Sequence, residues 1–161
     1  MKYILLIIVL FLCGLIGYIL KEKYRQQKEF LEFMRSFVEY LHLNISIYKN
    51  NISEIINGYI INQKNKSAKY NKLFQNKAHK PVFNMEIIDY YIYNKDVGLV
   101  IKSFLIELGS GDGEFECKKI ELFKSQLEDY ISITNNELKT KGELAFKLWL
   151  AIGLIVDIIL W

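Results

Sequence analysis

The apolar residues of this chain are gathered at its two ends, and that distribution limits the fold more than any other feature. Tyr3–Leu20 contains no charged side chain, and Leu144–Trp161 carries only Lys147 and Asp157. Roughly 20 such residues cross a hydrocarbon core as a helix. A helix is also the only form in which a single lipid-exposed segment satisfies its own backbone amides. The expectation is a membrane hairpin, with one span over 1–20, a polar domain over 21–143 and a second span over 144–161. A cleaved leader would need small residues after the apolar run, and Tyr18-Ile19-Leu20-Lys21 supplies none. Leu12 is too large for lipoprotein processing at Cys13.

Charge sets the direction of the hairpin. Lys21, Lys23, Arg25 and Lys28 follow the first span, and Lys139, Lys141 and Lys147 lie at the start of the second. Basic residues are retained on the cytoplasmic side, so the middle domain is expected there and both ends on the far side. Lys147 can snorkel, and Trp149 and Trp161 suit the headgroup layers. Asp157 lies about one turn from the end, shallow enough to reach interfacial water.

The middle of the chain reads as helices. With one Pro and 9 Gly in 161 residues there are few breakers. Phe30, Phe33, Phe37, Leu41, Ile45 and Tyr48 recur every three or four positions, so the first membrane helix is expected to continue into the domain and to end or kink at Asn50-Asn51. A shorter helix should start near Ile52 and fade over 62–66. Ser67–Lys80 is expected to form another, with Tyr70, Leu73 and Phe74 inward and Pro81 as its stop. Asn84 can cap a helix through Met85, Ile87, Ile88, Tyr91 and Ile92. Asn94 or Asp96 can cap the next, whose stripe is Val97, Val100, Ile101, Phe104, Leu105 and Leu108. Gly109 should end it in a left-handed conformation. Asp112 can then cap a last long helix, with Glu114 and Glu116 favoured in its first turn by the macrodipole. Ile120, Phe123, Leu127, Tyr130, Thr134 and Leu138 form a short heptad stripe on that helix, and Gly142 is its weak point. The fold class is all-α: a helical bundle between two transmembrane helices.

Chemistry-bearing motifs are absent by this reading. Gly109-Ser110-Gly111-Asp112-Gly113 is glycine-rich, but it follows a helix, lacks the Lys-Ser/Thr of a phosphate loop and contains an acid. Cys13 and Cys117 make no CxxC spacing, and His42 and His79 are far apart, so no metal site is expected. No His is placed near a Ser or Cys nucleophile, and His42 reads as a core or partly exposed residue. Tyr90, Tyr91 and Tyr93 could stack on bases, but packing explains them more simply, and a net charge of +3 does not suggest nucleic acid. No catalytic residue, cofactor or metal is therefore assigned. The basic residues beside each span would lie against anionic headgroups, at about 1 kcal/mol each.

Leu108-Gly109, Asp112, Glu116 and Ile120, followed by a long charged helix and a terminal apolar segment with Gly153, resemble the stage III sporulation protein AB family. Gly111 stands where that family usually has Ser or Thr, Glu116 where it has Gln, and Trp149 where it often has Gly. Upstream of Leu108 the likeness is one of architecture. The resemblance implies a reduced relative of the platform proteins of type II secretion and type IV pilus systems. It implies a place in a channel complex of the mother-cell membrane facing the forespore, and a cytoplasmic domain that docks a secretion-type ATPase. The partner-binding candidates it implies are Leu108, Gly109, Asp112, Glu116 and Ile120, with the alternative that they only shape the turn. A membrane-anchored regulatory or adaptor protein without a secretion partner is the competing reading, an enzyme is disfavoured, and self-association is left open.

Overall fold

A computed structural model describes residues 2–48, 52–63, 69–77 and 80–160. In order along the chain come α1 (Lys2–Tyr48), α2 (Ile52–Gln63), a single 3-10 turn (Asn71–Leu73), β1 (Phe74–Lys77), β2 (Lys80–Phe83), α3 (Met85–Tyr91), α4 (Lys95–Glu107), α5 (Gly113–Glu137), a π-helical turn (Leu138–Gly142) and α6 (Glu143–Leu160). The fold is all-α apart from one small hairpin. Among the described residues no helix is long and apolar enough to cross a membrane. The break expected at Asn50-Asn51, the fading end over 64–66, His79 and Trp161 lie outside the described residues, as do the side chains of Tyr48 and Asp157. The chain divides into two compact units, residues 29–131 and residues 1–28 with 132–161.

The larger unit is built on an aromatic core. Phe30, Phe33, Phe37, Leu41 and Ile45 are buried, as the spacing requires, and Leu31, Met34 and Val38 widen the stripe. So broad an apolar face needs cover on more than one side. It is met by Ile55, Ile56 and Tyr59 of α2, by Tyr70, Leu73 and Phe74, by Ile88 and Ile92, and by Ile101, Phe104 and Leu105 of α4. Ring pairs knit these together. Phe37 lies 5.1 Å from both Tyr59 and Phe74, and Phe30 stacks on Tyr91 at 5.4 Å. Each fully buried side chain of this size contributes about 1.5–3 kcal/mol. Ile120, Phe123 and Leu127 of α5 complete the core, with Phe123 stacked on Phe104 at 3.9 Å. At the rim His42 Nε2 lies 3.2 Å from Glu121 Oε1, and Lys124 Nζ lies 3.5 Å from Glu39 Oε1, fixing α1 and α5 antiparallel.

Two helix starts follow the side-chain capping expected of them. Asn84 Oδ1 accepts the Glu86 amide, and Asn94 Oδ1 accepts those of Asp96 and Val97. One expectation is overturned: the described part of Ser67–Lys80 is not a helix. It is a 3-10 turn leading into β1, which pairs antiparallel with β2 in the register Phe74 with Phe83 and Asn76 with Pro81. Tyr70, Leu73 and Phe74 do point inward, but three apolar positions in a polar segment satisfy an extended chain as well as a helix. Phe74 lies 6.0 Å from Phe83 across the pair, and the Asn84 amide donates to the Leu73 carbonyl at 2.8 Å, closing the base. Pro81 is therefore a strand residue, allowed because every strand of a two-stranded sheet is an edge.

In the smaller unit α1 meets α6 through glycine. A Cβ at Gly17 would fall 3.0 Å from the Phe146 Cα, and one at Gly153 would fall 3.2 Å from the Cys13 Cβ. Hydrogen at these positions is what lets the helices approach. Farther along, Gln27 Nε2 donates to Thr134 Oγ1 at 3.1 Å, both residues being buried, and Lys28 Nζ donates to Asn135 Oδ1 at 3.1 Å. Gly142 is buried against Tyr24 and ends the π-helical turn, so the weak point read from the sequence is a change of helical winding rather than a break.

Candidate functional site

The turn from α4 into α5 is a closed electrostatic loop. Gly109 takes φ +88°, a conformation that costs other residues strain, and its Cα faces Ile52, which a Cβ would meet at 3.3 Å. The Ser110 amide and hydroxyl both donate to the Glu107 carbonyl, at 3.2 and 2.7 Å. Asp112 Oδ1 accepts the Phe115 amide at 2.8 Å, the capping role its position suggests.

Glu116 departs from expectation. Expected in the first turn as a partner of the macrodipole, it lies there but is only 1% exposed. Its side chain folds back so that Oε1 accepts the Gly111 amide at 3.0 Å and Lys119 Nζ at 2.9 Å. Lys119 Nζ also donates to the Glu107 carbonyl at 2.7 Å, tying the last turn of α4 to the first of α5. Both donors converge on Oε1, and the buried Oε2 has no hydrogen-bond partner among the described residues. Helix-start periodicity could not reveal it, because the partner amide lies five residues back across the turn. Asp112 and Glu114 are exposed, as expected.

Of the five candidates, the structure brings Leu108, Gly109, Asp112 and Glu116 into one turn. Ile120 is fully buried beneath it, and Leu108 packs against the core. A partner could therefore touch Gly109 and Asp112, while Glu116 and Ile120 hold the turn in shape. Two residues not singled out in the sequence belong with them. Phe115 is 58% exposed, and the Lys119 ammonium lies 5.6 Å from its ring centre. Phe115 falls off the heptad stripe, which was the available signal that its ring faces outward. Gly111 fits beneath it, since a Cβ there would lie 2.6 Å from the ring.

Cys117, next to this turn, is half-buried. Burial pushes its thiol above the ordinary 9.0, and the carboxylates of Glu121 and Glu116 add to the shift. Among the described residues no three His, Cys, Asp or Glu side chains gather as metal ligands would.

No curated protein and no solved structure matches this chain. The family model of stage III sporulation protein AB matches residues 2–161. On that match, which takes in the turn at Leu108–Asp112, the long α5 and the terminal α6 alike, the chain belongs to the stage III sporulation protein AB family.

Proposed function

We propose that this chain is a non-enzymatic membrane platform subunit of a secretion-like sporulation channel, with a cytoplasmic helical domain that docks a secretion-type ATPase. The observation that carries the membrane part is the outward display of apolar side chains in the smaller unit. Ile7, Ile8, Phe11, Leu12, Leu15, Ile16 and Ile19 of α1 are exposed, as are Leu144, Leu148, Ile152, Leu154, Ile155 and Ile158 of α6. Water does not tolerate a contiguous apolar surface of that extent on an isolated protein, whereas lipid covers it at no cost. The one charged side chain described within the two apolar segments is Lys147, exposed near the start of α6, where its ammonium can reach the interface.

Docking is referred to the α4–α5 turn because it combines an exposed acid, Asp112, and an exposed ring, Phe115, on a backbone fastened from below by Glu116 and Lys119. The experiment is co-purification of the detergent-solubilised full chain with a secretion-type ATPase. Asp112→Lys should abolish capture while leaving the helical circular dichroism intact. Undiminished capture by that variant removes the turn as the interface, and no capture by the wild type favours the adaptor reading.

A further inference from the structure

Tyr18, Lys21, Glu22 and Arg25 occupy one face of α1, at the i, i+3, i+4, i+7 spacing, and with Phe146 of α6 they line a cleft of about 170 Å3. The close approach at Gly17 seats the Phe146 ring against α1 and makes it one wall. The only acid in the cleft is already engaged: Glu22 Oε2 lies 2.8 Å from Arg25 Nη2, and Glu22 Oε1 accepts Gln26 Nε2 at 3.1 Å. Lys21 makes no ion pair among the described residues, so its ammonium is the uncompensated charge there. Two aromatic walls and a surplus cation, at the end of an apolar helical stretch, match a ligand with an anionic head and an apolar body.

We propose that the cleft binds the phosphate headgroup of an anionic phospholipid, with Lys21 as its counter-ion and Tyr18 and Phe146 flanking the start of the acyl chains. This rests on the membrane-hairpin reading above. Inorganic phosphate shares the headgroup's charge but has nothing to place between the rings.

The test uses the full chain in neutral detergent, with native mass spectrometry to follow retention of phosphatidylglycerol, phosphatidylcholine or inorganic phosphate. Lys21→Gln is compared with Lys23→Gln, which removes the same charge from an exposed position that does not line the cleft. The expected result is one phosphatidylglycerol retained in preference to phosphatidylcholine. Lys21→Gln should weaken it about tenfold or more, and Lys23→Gln by no more than the roughly fivefold of general surface attraction. Equal losses in the two variants, or equal retention of the two lipids, overturn the proposal in favour of diffuse electrostatics. Inorganic phosphate bound as tightly as phosphatidylglycerol overturns it in favour of a soluble anion. Flotation with vesicles of either lipid is read in parallel. A chain that floats but shows no lipid preference loses only the cleft, whereas one that fails to float with any vesicle loses the membrane hairpin itself.

Discussion

Lys119 Nζ sits 2.9 Å from Glu116 Oε1 and 2.7 Å from the carbonyl oxygen of Glu107, so one ammonium joins the end of α4 to the beginning of α5. Both side chains are largely withdrawn from water, at 14% and 2% exposed. A charge pair in that setting is costly to break from one side, because the remaining charge keeps its desolvation penalty.

Glu116→Gln preserves an oxygen for the Gly111 amide but leaves the Lys119 ammonium without its counter-charge, so it should cost about 1–2 kcal/mol. Glu116→Ala leaves both the amide and the Lys119 ammonium without their carboxylate and should cost about 2–3 kcal/mol. Thermal unfolding of the full chain in detergent, followed by circular dichroism, would rank the three proteins. If both variants melt with the wild type, the carboxylate is not what holds the turn.

Glycine matters unequally around this turn. Gly109→Ala must adopt positive φ and press on Ile52, and a loss of about 1–2 kcal/mol is expected. Gly113→Ala meets open space in the first turn of α5 and should be neutral or stabilise by a few tenths up to about 1 kcal/mol. The same unfolding measurement separates them; a Gly113 variant as damaged as the Gly109 one would contradict the backbone conformation described.

The closeness of α1 and α6 can be trapped covalently. A Cβ at position 153 would lie 3.2 Å from the Cys13 Cβ, about 0.3 Å short of the disulfide range, so with a small outward shift of the helices Gly153→Cys should form an intramolecular bond with Cys13 under mild oxidant. Intact-mass analysis would show the loss of two hydrogens without a dimer. Adding Gly17→Val, whose side chain would strike the Phe146 backbone, should suppress the bond, whereas Gly14→Val, with nothing within 4 Å, should not. Efficient cross-linking in the Gly17 double variant would show that the helices meet elsewhere.

At Cys117 the prediction concerns pH. Burial and two nearby carboxylates hold the proton above the ordinary 9.0, so the folded thiol ionises later than the unfolded one. Its stabilising contribution is complete below that value and declines as pH rises through the folded pKa. Alkylation of the Cys117 peptide by iodoacetamide at pH 8 should be slower than that of glutathione, with a rate profile displaced to higher pH. A rate equal to the free thiol's would mean the side chain is not sheltered.

How far the sequence reached depended on the range of the forces involved. The stripe from Phe30 to Ile45, the caps at Asn84 and Asn94 and the positive φ of Gly109 are local consequences of spacing and side-chain chemistry, and each stands where it was read. The hairpin at Phe74–Phe83 was hidden because it is decided by rings from α1 and α2, not by its own pattern. At the turn, Gly109 and Asp112 were legible for the same local reason. Glu116 was visible as a residue but not as a buried one, since its burial depends on Lys119 and on an amide across the loop. Phe115 went unread because a place off the stripe marks a ring as outward but does not mark it as part of a site.

The hydrogen bond from Gln27 to Thr134 settles how the two long helices are aligned along their length. A buried side-chain amide accepts very few positions. Sliding α5 by one turn, about 5.4 Å, would set that amide beside Tyr130 or Leu138 in place of the hydroxyl. Hydrophobic contact alone would permit such a slip on a stripe that repeats every seven residues. The buried pair therefore acts as an index mark, admitting one alignment and penalising its neighbours.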